Sequence, residues 1–120
     1  MAWEHARMVD DVRLELDTTA HGEIRVTLMS PSWVLHVEAP RADLERLAGI
    51  ADADWNARRS LALGTCTNAR VYWSADPDPN GADQATILIG HDDETWDIWI
   101  RVPQATVRKI AELAAQFPGA

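Results

Sequence analysis

The stretch with the best spacing for ligand chemistry is Asp76-Pro77-Asp78-Pro79-Asn80-Gly81. The pattern D-x-D-x-N-G matches the first half of a calcium loop, where alternate oxygens converge on the ion and glycine makes the sharp turn. The second half departs from it. The position that should be apolar is Asp83, and the closing glutamate is replaced by Ile87. Two prolines stiffen the turn, and strand-like sequence flanks it where a calcium loop has helices. An ordinary Asp/Pro/Asn/Gly loop is the stronger reading. A second cluster, His91-Asp92-Asp93-Glu94, puts one imidazole beside three carboxylates. A transition metal would want more converging histidines, and His5, His21 and His36 have no ligand spacing to it. A solvated acidic turn that attracts a cationic partner fits better. Cys66, in GTCTNA, has no histidine nearby and reads as a structural thiol. Neither a G-x-S-x-G nucleophile turn nor a glycine-rich phosphate loop occurs. The expectation is a protein that is not an enzyme and takes no metal or other cofactor.

Composition narrows the partner classes. Nineteen acidic and eleven basic side chains give a formal charge of −8. A nucleic-acid binder needs a cationic footprint, and an anionic membrane would repel this chain. The apolar content is 47% and no stretch approaches the ~20 apolar residues of a membrane span. The start of the chain, MAWEHARMVDD, lacks the apolar run of a secretory signal. With a single cysteine no internal disulfide forms. A cytoplasmic location is the expectation. The 120 residues suffice for one domain with a core of its own.

The elements that would position any site come from a stretch that occurs twice at constant offset. WVLHVEAPRADLERLAGIA (33–51) aligns with WDIWIRVPQATVRKIAELA (96–114). Trp33/Trp96, Pro40/Pro103, Ala42/Ala105, Ala48/Ala111 and Ala51/Ala114 are identical pairs. In each copy apolar residues alternate up to the proline, the period of a strand with one buried face. After it they step by three, one and three, the stripe of a helix. Proline suits the start of a helix, where its missing N–H costs nothing. Upstream, Ile24 and Val26 map onto Ile87 and Ile89 at the same offset.

In chain order, strands are expected within 8–17, over 23–29 and 33–39, then a helix from Pro40 to about Ile50. The segment 51–60 crosses between halves. In 61–74, Val71-Tyr72-Trp73 is a strand core, and the interruption at 64–68 is either a bulge or the break between two short strands. Further strands follow at 85–90 and 96–102, then a helix from Pro103 to about Phe117. The expected fold is a single α+β domain made of a duplicated βββα unit (βββα–βββα). Its pseudo-repeats cover about 8–55 and 61–117. The strands form antiparallel meanders, and the two helices pack on one sheet face.

That arrangement selects a candidate binding surface. If Trp96, Ile98 and Ile100 face the helices, Asp97, Trp99 and Arg101 face away, together with Tyr72 and Leu88; His36 holds the equivalent place in the first half. Trp99, Tyr72, Leu88, Arg101 and His36, with the acidic turn residues Asp92, Asp93 and Glu94, are the candidate partner-binding residues. Trp, Tyr and Arg dominate hot spots. The competing reading is that a loop, a curled sheet or another copy covers this face.

Units such as WVLHVEAPRADLERL and WDIWIRVPQATVRKI give the chain a resemblance to small acidic βββα-repeat proteins of high-GC bacteria, some related to immunity proteins of polymorphic toxin systems. The resemblance covers most of the chain, fixes no single family and carries over no functional residue. It implies a protein-binding module that neutralises a basic partner through an acidic and aromatic surface. Two further classes stay open: a chaperone-like or homo-oligomeric adaptor, with a homodimer among its forms, and a small-molecule binder or an enzyme without a motif.

Overall fold

The computed structural model describes residues 12–53, 59–77, 83–92 and 95–117. Among these residues seven strands follow one another: β1 (Arg13–Thr18), β2 (Ile24–Ser30), β3 (Trp33–Ala39), β4 (Leu61–Cys66), β5 (Ala69–Pro77), β6 (Asp83–Gly90) and β7 (Trp96–Pro103). They form one antiparallel sheet in sequence order. Between β3 and β4 lie a five-residue helix, α1 (Arg41–Glu45), and a 3-10 segment, Arg46–Asp52. Helix α2 (Gln104–Gln116) follows β7.

The duplicated βββα unit is overturned. The second half has four strands, because the interruption after Leu63 is both a bulge and a hairpin turn. Register between β4 and β5 shifts between Ala62 and Thr65. Gly64 sits there at φ +83°, and a Cβ on it would lie 2.8 Å from Val37 Cγ1 and 3.0 Å from the Glu38 carbonyl oxygen. The turn itself is Thr67-Asn68, both at positive φ, as a two-residue hairpin loop demands. The first helix also differs from the second. Its α-helical part stops at Glu45, and Gly49 leaves helical geometry (φ −92°, ψ 19°) within the 3-10 segment. Glycine in mid-helix is poorly held, and nothing lies within 4 Å of a Cβ placed on Gly49 to brace it.

The helices do not each cover their own half. The main neighbours of α2 are the 3-10 segment and α1; its strand contacts are with β6, β7 and, from the first half, β1. The leading strand contacts of α1 and the 3-10 segment are with β4 and β5 of the second half. One core therefore serves the whole sheet. It holds Ile24, Val26, Leu28, Val37, Trp73, Ile87, Val102, Leu44, Leu47, Ile50, Val107 and Ile110, all fully buried.

Polar contacts fix the layers. Trp73 Nε1 donates to the Leu63 carbonyl (3.0 Å), and Ala75 N–H donates to the Ala53 carbonyl at the end of the 3-10 segment (2.5 Å). Buried Gln104 donates from Nε2 to the Gln84 carbonyl (2.9 Å), tying the start of α2 to β6. The Arg41 guanidinium donates to the Phe117 carbonyl and joins the two helical regions. The sheet is weakest at its middle: β3 and β4 are joined by the pair Glu38–Thr65 alone.

Candidate functional site

Cross-strand register places Tyr72, Leu88 and Trp99 in one row across β5, β6 and β7, on the face opposite the core. Burial within the row differs from expectation. Tyr72 and Leu88 are 8% and 5% exposed, whereas Trp99 is 50% exposed. Ser74 and Thr86, the next row on that face, are buried as well. The expected aromatic-aliphatic patch is thus reduced to Trp99 and its immediate neighbours. The Tyr72 hydroxyl donates a hydrogen bond to the His91 carbonyl (3.4 Å), which ties it to the β6–β7 turn.

Arg101 reaches across this face. It ion-pairs with Asp76 at 2.5 Å. Arg101 is on β7 and Asp76 on β5, so the side chain spans the intervening β6 at the level of its register partner Thr86. The same guanidinium lies over the Trp99 ring, 5.5 Å from its centroid, within cation–π range. Asp76 is a strand residue with a cationic partner. Asp78, Asn80 and Gly81 lie outside the described residues.

The other expected site residues are scattered. His36 is exposed on β3, four strands from Trp99, and its Nδ1 is 2.9 Å from the Thr27 hydroxyl. At ~4.8 Å per strand that separation places it in a different surface region. Asp92 accepts the Thr95 N–H through its carboxylate (2.7 Å) and so shapes the turn. Asp93 and Glu94 lie outside the described residues, as do Trp3 and Trp55.

Two residues that belong beside Trp99 were expected in the core. Trp96 and Ile98 are 42% and 45% exposed. Ile98 does lie on the core face, paired with buried Ile89, but exposure on that face grows along β7 with distance from α2: Val102 is buried, Ile100 half-buried and Ile98 open, while Trp96 lies beyond a bulge, opposite Gly90. The β6–β7 register also shifts at Ile89/Gly90, so that Asp97 becomes the extra residue of a bulge. The cause is steric. A Cβ on Gly90 would sit 2.4 Å from Trp96 Cα, which shows how tightly the two strands cross there.

Among the described residues no three His, Cys, Asp or Glu side chains are placed to hold a metal. An open cleft of about 290 Å³ lies at the β3–β4 seam, bordered by Glu23, Glu38, Asp43 and Arg70. Glu38 is already engaged by Arg25 at 2.9 Å. No helix among the described residues is long and apolar enough to cross a membrane. No family model matches the chain, and comparison with curated proteins and with solved structures finds no match either.

Proposed function

We propose that the protein works by binding another protein, in the manner of an immunity protein, and that its contact surface is centred on Trp99. The observation that carries this reading is the exposure of three large apolar side chains, Trp96, Ile98 and Trp99, on a single strand. Exposed tryptophans beside an arginine are the composition of an interface hot spot. The Arg101 guanidinium, held by Asp76, keeps the Trp99 ring in place, so little side-chain freedom is lost on binding. The net charge of −8 favours a basic partner and speeds its approach. A cytoplasmic location and the absence of catalysis go with this reading.

The test is a pull-down with the tagged protein, washed at low and at high salt, with the retained proteins identified by mass. A stoichiometric basic partner that loosens with salt is the expected result. Trp99→Ala is expected to weaken that partner at least about tenfold, or ~1.4 kcal/mol, while the fold stays intact. If Trp99→Ala unfolds the protein, or leaves the affinity unchanged, the surface is not where the partner binds.

A further inference from the structure

We draw no further inference here: the strongest candidate, the open cleft at the β3–β4 seam bordered by Glu23, Glu38, Asp43 and Arg70, is a cluster of acidic side chains beside one arginine, and no buried, unpartnered polar group among the described residues lines it to name a ligand.

Discussion

Substituting Gly64 tests the seam that holds the sheet together. Gly64 lies in the bulge of β4, beside the single pair that links β3 to β4. Two costs add in Gly64→Ala. At φ +83° an L-residue meets the left-handed penalty, about 1–2 kcal/mol. The new methyl group would also stand 2.8 Å from Val37 Cγ1, 3.0 Å from the Glu38 carbonyl oxygen and 3.3 Å from Ala39 Cβ. Val37 is fully buried and the carbonyl is backbone, so neither gives way easily. Overpacking of this kind costs about 1–3 kcal/mol. The expected loss is therefore about 2–5 kcal/mol, a large part of the ~5–15 kcal/mol that holds a domain of this size. Two other glycines separate the terms. Gly22 has φ +81° and nothing within 4 Å of a Cβ, so Gly22→Ala carries only the backbone penalty. Gly49 has negative φ and open space, so Gly49→Ala should stabilise by ~0.4–1 kcal/mol through the unfolded chain. Urea denaturation followed by fluorescence gives the midpoints. The expected order of stability is Gly49→Ala, the parent chain, Gly22→Ala, Gly64→Ala, with unchanged slopes. A Gly64→Ala midpoint equal to that of Gly22→Ala would refute the steric argument, and one equal to the parent would refute the bulge itself.

Two further outcomes follow from buried polar contacts. Trp73→Phe keeps an aromatic ring in the core but leaves the Leu63 carbonyl without its donor. A loss of about 1–3 kcal/mol is expected, read as a lowered denaturation midpoint. Gln104→Leu removes the donor to the Gln84 carbonyl at the start of α2. It should cost ~1–2 kcal/mol and speed amide exchange in the first turn of that helix ahead of the rest.

Strand positions were legible because alternation is a strong local signal. Ile24, Val26 and Leu28, or Ile87 and Ile89, say which face is inward, and the structure has them there. The duplication failed for reasons that alternation does not encode. Gly64-Thr65-Cys66-Thr67-Asn68 serves equally as an interrupted strand or as a hairpin, and a left-handed threonine at position 67 is an unusual choice for a two-residue turn. The two Pro-led apolar stripes look equivalent on paper. The first leaves α-helical geometry after Glu45 and is kinked again at Gly49, whereas Ala-Glu-Leu-Ala-Ala carries the second on to Gln116. Which strands a helix covers is a long-range matter, so the sharing of helices between halves left no local trace.

The error at the site has one physical source. A period of two assigns a residue to a face; it does not say what lies above that face. On the core side of β7, α2 turns back directly after Pro103, so cover is complete at Val102 and gone by Ile98. On the outer side, Tyr72 and Leu88 read as exposed because they alternate with Val71, Trp73, Ile87 and Ile89, yet both are buried. Arg101, reaching Asp76, takes its side chain across a whole strand in the neighbouring row of that face. The pairing of a β7 arginine with an aspartate in a calcium-like motif is a diagonal contact between neighbouring rows of the sheet, which no local pattern announces. Trp99, two residues before Arg101 on the same strand, lies under the guanidinium. The candidate surface is therefore the place where the helix runs out and one arginine fixes one tryptophan at the edge of the sheet.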